Sequence, residues 1–466
     1  MFSPLRLLFL SLLVGCCCEL PNHRVISQEE PLFEEMDQAY STGLFADSCW
    51  PEGTWWKIFN DPELETLIDE ALFYNPTIEI ASSKIRKVQS EVRLAQSLLW
   101  PIISGFADII PQLYTRTGLF PPNTILPLPF NFAQTDLDIE LNWDLDIWGK
   151  KQNRLCSERD LFFAEVWNSR STELWLSIAV AETYFKLKMS LQVEQLAKEI
   201  ADNRKRKETL VQLQEEHKLV NRLSYLATQQ ETQYRIAAYE DAVRARELYE
   251  HALYTLVATG GPLPCITPEF SLDLFPFPLP SCIALDTLSR RPDIQAELWR
   301  IRSTEHLLKV ARAGYYPDIN LSGLVGLSTI FPEKLFSPHS TTYEIGPALH
   351  LPIFSAGEIE ARMDEAAENY RIESEQYNAL VLQAIQEVKD ALTSVERFNN
   401  QWVASSKRNE SAKAAVDLMK LRLKKLSSEA DFLDQEQIEL LSRIDQIMVS
   451  ASLVISLLEL VKAVGG

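Results

Sequence analysis

Between Leu137 and Ile147, in the stretch TDLDIELNWDLDIWGK, every odd position is apolar, while Asp136, Asp138, Glu140, Asn142, Asp144 and Asp146 hold the even ones. A period of two predicts a β-strand, because successive strand side chains point to opposite faces. Carboxylates on one face then recur about every 7 Å, too close to one another and too costly to desolvate for a dry interior. Two environments suit such a strand. One is a soluble sandwich with its polar face in bulk water; the other is a membrane barrel with apolar side chains toward lipid and polar ones toward an aqueous lumen. For an isolated strand the soluble environment is the commoner.

Elsewhere the pattern has a helical period. From Gly149 to Gly260, and again from Gly357 to Gly465, no Pro and no further Gly interrupts the chain, which predicts helices of tens of residues. Tyr370, Tyr377, Val381, Ala384, Val388, Ala391, Val395, Phe398, Trp402, Ala412, Val416, Met419, Leu423 and Leu426 mark a seam with steps of three and four. A seam sustained this far predicts coiled-coil packing, and a helix of about 60 residues reaches roughly 90 Å. Leu380, Ile385 and Leu392 lie beside the seam and give the helix a second apolar edge.

These elements occur twice. Pro76 precedes Pro101 as Pro292 precedes Pro317, with Ile78 matching Ile294, Ala95 matching Ala311 and Trp100 matching Tyr316. Leu145-x-Ile147-Trp148 before Gly149 is echoed by Leu351-x-Ile353-Phe354 before Gly357, Tyr225-Leu226 by Phe432-Leu433, and Gly260-Gly261 by Gly465-Gly466. The chain is therefore an internal repeat, each copy reading helix, hairpin, long helices. The first spans 61–261, with a hairpin at 102–148 and long helices at 150–258; a linker covers 262–289; the second spans 290–466, with a hairpin at 318–354 and long helices at 358–464. In the last strand Tyr343, Ile345, Leu349, Leu351 and Ile353 share a face, although Pro347 and Pro352 weaken it, and residues 102–110 alternate poorly.

The N-terminus, MFSPLRLLFLSLLVGCCCEL, has a basic residue and then an apolar run too short to cross a bilayer, as in a secretory signal. Leu13-Val14-Gly15-Cys16 resembles a bacterial lipobox, which implies that residues 1–15 are removed, that Cys16 is acylated, and that 16–60 form an acylated N-terminal segment. Cleavage there removes Arg6 from the 45 basic residues and none of the 65 acidic ones, so the formal charge moves from −20 to −21. Such acidity disfavours nucleic acid as a partner. Cys265 and Cys282 flank one loop, and either a disulfide or two free thiols fit an oxidising compartment.

The chain also resembles a known family. WWKIFNDPELETLIDEALFYNPTIEIA at 55–81, LDIWGK at 145–150, RRPDIQAELWRIRSTEHLLKVARAGYYPDINLSG at 290–323, LPIFSAGEIEAR at 351–362, AIQEVKDAL at 384–392 and the terminal LVKAVGG are similar to outer-membrane factors of bacterial tripartite export systems. This is the TolC and OprM family, and the lipobox suggests its lipoprotein branch. The resemblance implies a mixed α/β fold: a homotrimeric, 12-stranded transmembrane β-barrel, four strands per chain, continuous with a coiled-coil periplasmic tunnel. It further implies a lipid-anchored location in the outer membrane, a periplasmic adaptor and an inner-membrane pump as partners, and passive export of drugs or toxic compounds. Protein secretion through a related duct, and a coiled-coil structural lipoprotein without a channel, are the alternatives.

On that reading Asp136, Asp138, Glu140, Asp144 and Asp146 line the lumen. The helix reversals near Val220–Tyr225 and Lys425–Phe432 become the periplasmic tips, with Leu223, Ser224, Tyr225, Ser428 and Phe432 as candidate adaptor contacts. Family members carry an acidic ring about five residues after the aromatic-Leu pair. That position is Gln437 here, so Asp431, Asp434, Glu436 and Glu439 are the candidate gate. No phosphate-binding Walker motif and no nucleophile elbow occurs, and the 6 histidines lack metal-ligand spacing. The expectation is a protein that is no enzyme, with no cofactor and no metal.

Overall fold

The computed structural model describes residues 54–113, 131–261, 264, 266–268, 288–423 and 428–466. The expected signal peptide, Cys16, Cys265, Cys282, most of the linker and part of the second helix reversal lie outside them. The described chain comprises α1 (Pro62–Tyr74), α2 (Pro76–Ser97), β1 (Ile102–Leu113), β2 (Asn131–Leu145), α3 (Lys150–Glu216) and α4 (Arg222–Val257). The second copy follows as α5 (Pro292–Ala313), β3 (Asp318–Thr329), β4 (Thr341–His350), α6 (Glu358–Leu423) and α7 (Glu429–Val464). Corresponding helices match closely: α2 and α5 each have 22 residues and begin at the paired prolines, α3 and α6 have 67 and 66, and α4 and α7 each have 36.

Two compact units emerge. One contains the described residues between Ile85 and Glu165 and between Glu297 and Gln376; the other contains the rest. The first holds a single antiparallel sheet ordered β1-β2-β3-β4. Its hairpins differ from the sequence expectation at their ends. Strand geometry stops at Leu145 and His350 instead of running to 148 and 354, so Leu351 and Ile353 do not extend the β4 face. Residues 102–110 form regular strand despite weak alternation, because twelve consecutive partners on β2 hold them. Pro347 sits in β4, an edge strand, where a missing amide is tolerated. Helices of the same unit are joined by Ser157 Oγ to Ser303 Oγ at 2.8 Å and by the Phe163 and Trp299 rings, centroids 4.7 Å apart.

The second unit has a helical core. Leu64, Leu67 and Ile68 of α1, Leu176, Val180 and Tyr184 of α3, Leu253 and Val257 of α4, and Val388 and Val395 of α6 are buried, as are Leu453, Leu457 and Val461 of α7. Each such side chain contributes about 1.5–3 kcal/mol through its burial. The predicted seam of α6 is the buried one: Tyr377, Val381, Ala384, Val388, Ala391, Val395, Ala412 and Val416 all face protein. By length and composition α7 would suffice for a membrane span, but most of its apolar window is covered by protein. Asp61 fixes α1 to α3: it caps α1 through the Glu63 and Leu64 amides and accepts from Tyr184 OH at 2.7 Å and Lys188 Nζ at 2.9 Å.

Candidate functional site

The first candidate site is the sheet itself. The register aligns Asp136 with Asp108 and Ser328, Glu140 with Ser104 and Leu324, and Asp144 with Asn320; Leu324 in turn faces Glu344. Since side chains of directly paired residues share a face, Asp108, Asp136, Asp138, Glu140, Asp144 and Glu344 lie on one side. The other side carries Ile103, Ile109, Leu137, Ile139, Leu141, Trp143, Leu321, Val325, Tyr343, Ile345 and Leu349. None of the four strands contains Lys or Arg. The apolar side is not a packed core: Ile109 is 71% exposed, Tyr343 81% and Ile345 74%.

Local contacts divide the five predicted lumen residues. Asp136 accepts from Gln134 Nε2 at 3.0 Å and Ser328 Oγ at 2.5 Å, so neutral groups support its charge. Asp138 packs over Gly326, and Glu140 lies in the same row. Asp144 is instead paired with Lys151 Nζ at 3.1 Å, and Asp146 lies beyond the strand. Its carboxylate accepts from the amides of Lys151 at 3.0 Å and Gln152 at 2.7 Å, capping the first turn of α3. The two-residue alternation therefore continues past the strand only in sequence. Gly149, with φ +73°, and Gly357, with φ +85°, make the left-handed turns into α3 and α6. Next to them Trp148 stacks on Tyr316 at 4.8 Å and donates to the Pro317 carbonyl at 2.8 Å, while Trp143 donates to the Leu99 carbonyl at 3.1 Å.

The second candidate site is the pair of helix reversals. Between α3 and α4 the chain turns at 217–221, and Asn221 Oδ1 accepts from the Ser224 amide and hydroxyl, both at 2.8 Å. Leu219 and Leu223 are each 74% exposed, and Arg222 lies over the Tyr225 ring at 4.8 Å. At the other reversal Ser428 caps α7 through the Ala430 amide at 3.2 Å, and Phe432 is half-buried. Tyr225-Leu226 and Phe432-Leu433 thus fall at the same place in two helices of equal length.

Among the gate candidates, Asp431 is exposed and Glu439 half-buried. Asp434 accepts from Arg204 Nη1 at 2.8 Å and from Lys207 Nζ at 2.5 and 2.7 Å, and buried Arg204 also donates to the Leu433 carbonyl at 2.9 Å. Burial pushes the Asp434 carboxyl toward its neutral form, but hydrogen bonds from Lys207 and Arg204 outweigh it and hold the pKa below its ordinary value. Glu436 accepts from Asn203 Nδ2 at 2.7 Å. Gln437 is buried and donates to Glu231 Oε1 at 3.3 Å; Arg235 Nε holds the same oxygen at 2.7 Å. The start of α7 is therefore fastened to both α3 and α4. Arg204, Lys207 and Asn203 were not foreseeable, because polar residues on a long helix carry no signal of a partner about 230 positions away.

Residues 284–466 match the family described as Outer membrane efflux protein. Across 98% of this chain and 94% of its own length, the multidrug resistance outer membrane protein MdtP of Escherichia coli K12 is 24% identical. The family match thus covers the second repeat, and the similarity to MdtP runs through both repeats. The fusaric acid resistance protein FusA of Burkholderia cepacia is 29% identical over 69% of this chain, an alignment that spans 61% of FusA. The fold is similar to that of the Campylobacter jejuni CmeC outer membrane channel, which superposes with a TM-score of 0.83, covering 90% of this chain and 89% of CmeC, at 22% identity.

Proposed function

We propose that this chain is the outer-membrane channel of an efflux system, a passive duct for drugs or other toxic small molecules delivered by an inner-membrane pump through a periplasmic adaptor. The observation that carries the reading is the two-faced sheet, acidic on one side and exposed and apolar on the other, without a single Lys or Arg in its strands. Such a sheet suits lipid on one side and water on the other. Four strands are too few to close, whereas three chains supply twelve, edge to edge, and remove the open edges of β1 and β4.

In this assembly Asp136, Asp138 and Glu140 face the aqueous lumen, with Asp144 and Asp146 at its periplasmic mouth. Trp143 and Trp148 stand near the interface, where such rings are favoured. Cys16 carries the lipid anchor that would place the chain in the lipoprotein branch. The reversals at Leu223, Ser224 and Tyr225 and at Ser428 and Phe432 meet the adaptor, and Asp431, Asp434, Glu436 and Glu439 line or fasten the periplasmic opening. The names of MdtP and FusA, a multidrug and a fusaric acid resistance protein, support a small-molecule cargo.

Reconstitution in planar bilayers tests the function. Trimers that conduct and prefer cations support it. Protein that inserts as a trimer but shows no conductance, even with the Asp434 attachment removed, overturns it. Mild crosslinking in cells followed by purification should recover an adaptor and a pump, and the pump recovered identifies the cargo class.

A further inference from the structure

A buried and a half-buried carboxyl group face each other between α5 and α6, in the unit that bears the sheet. Glu297, 4% exposed, accepts from Arg300 Nη1 through Oε2 at 2.6 Å, while its Oε1 is buried with no partner. Across from it on α6, Glu373 meets Glu297 through its side chain, and its Oε2 is likewise buried with no partner. One guanidinium therefore serves two carboxyls. If both were ionised, each orphaned oxygen would carry its full desolvation cost and the charges would repel. A single proton between the two removes both penalties, since the protonated carboxyl donates and the other accepts.

We propose that Glu297 and Glu373 share one proton and act as a pH-dependent brace between α5 and α6, closed in acid to neutral surroundings and released in alkaline ones. The brace has leverage because α5 runs directly into β3 and β4 runs directly into α6, so the pair ties together the two ends of the second hairpin. Among the described residues, Arg300 is the one cation that acts on Glu373. The groups acting on Glu373 are Glu297 and Arg300; on α3, which packs against α5, Glu158 is paired with Arg154 and Asp160 with His306. Burial first, then the hydrogen bond and charge of Glu297, push the Glu373 carboxyl up to about 7 against the opposing pull of Arg300.

The sign follows from linkage. The folded state binds the shared proton more tightly than the unfolded chain, in which a Glu titrates at its ordinary value of 4.5. The stabilisation is complete below that value and is lost as pH rises through about 7. On the reading of the chain as an outer-membrane channel, on which this clause alone rests, the pair senses the pH of the medium that reaches the periplasm.

The test uses the full chain in detergent, with Glu373→Gln and Glu297→Gln beside wild type. Between about pH 5 and 7 the folded-to-unfolded ratio of the wild type should fall by up to tenfold per pH unit relative to either Gln variant, in which an amide donor replaces the proton. A wild-type slope equal to that of both variants overturns the proposal. Infrared spectra of folded protein near pH 6 give an independent reading. A protonated-carboxyl band that is lost in Glu373→Gln supports it, and its absence from the wild type overturns it, whether or not the variants fold. None of these readouts depends on conductance, so failure here is separable from failure of the channel reading.

Discussion

Arg291 donates from Nη1 to the main-chain oxygen of Ala463 at 2.9 Å, so the residue before Pro292 holds the last turn of α7. The first copy has the same device with different chemistry: Asn75, before Pro76, donates from Nδ2 to the Leu256 carbonyl at 2.7 Å, at the end of α4. Each repeat thus fastens its last helix to the start of its first. The glycine that ends α7 follows from this closeness. Gly465, at φ +105°, lies where a Cβ would come within 3.0 Å of Arg291 Cα.

Arg291→Ala should destabilise the chain by about 3–5 kcal/mol, the usual result of removing one member of a buried charge network. The guanidinium also holds Asp293 through two nitrogens and Glu387 at 2.7 Å, with only 8% of the side chain exposed. Arg291→Lys should recover part of the loss, because an ammonium keeps the charge without the planar fork. Thermal unfolding of the purified protein measures both, and a shift below about 1 kcal/mol for Arg291→Ala would count against the role assigned to this contact.

The repeat, the helix lengths and the α6 seam were legible because periodicity, proline and glycine set them locally. The environment of β2 was not legible from β2 alone. An alternating strand fits a sandwich or a barrel, and only its register with β1, β3 and β4 reveals an apolar face that remains exposed. Asp146 illustrates a second limit: its alternation is unbroken in sequence, yet the backbone has already turned and the side chain caps α3. Glu297 and Glu373 illustrate a third. A carboxyl at a helical position reads as solvent-facing unless the partner helix is known.

Single cysteines along β2 should divide by parity. At 136, 138 and 140 they should react with a charged, membrane-impermeant thiol reagent added from the aqueous side, and at 137, 139 and 141 they should not. Equal labelling of both sets in membranes would sink the barrel orientation. On the proposed channel reading, neutralising Asp136, Asp138 and Glu140 together to Asn and Gln should reduce cation over anion permeability in bilayers, since three chains would remove nine carboxylates from one lumen.

Asp434 sets the acid response at the start of α7. Its carboxyl titrates below 3.8 in the folded chain, because the bonds from Lys207 and Arg204 outweigh burial. Its contribution is therefore present above that value and lost as pH falls further. Asp434→Asn should raise amide exchange of 429–440 by about tenfold at neutral pH, the lower end for a charge-assisted bond, as 46% of the side chain is solvated. The variant should also lose the acid-induced rise in exchange that wild type shows below about pH 4. In bilayers the same variant should conduct more than wild type if this attachment helps to hold the periplasmic opening narrow.

Gly326 is the position where the sheet itself admits no side chain. A Cβ there would overlap the Asp138 carboxylate and lie 2.5 Å from the Leu137 carbonyl, so the backbones of β2 and β3 approach as closely as they do only because position 326 is bare. Overpacking of this kind typically costs about 1–3 kcal/mol, and here the obstructing atoms include main chain, which cannot rotate away. Gly326→Val should therefore part the two hairpins at their junction, where β2 meets β3. Gly346→Val is the matched control: it lies in edge strand β4, on the same face of the sheet, and a Cβ there meets nothing within 4 Å. Heat-stable trimer on gels and its yield in the outer membrane should fall sharply for the first and little for the second; equal behaviour of the two would show that the close approach at Gly326 does not limit assembly.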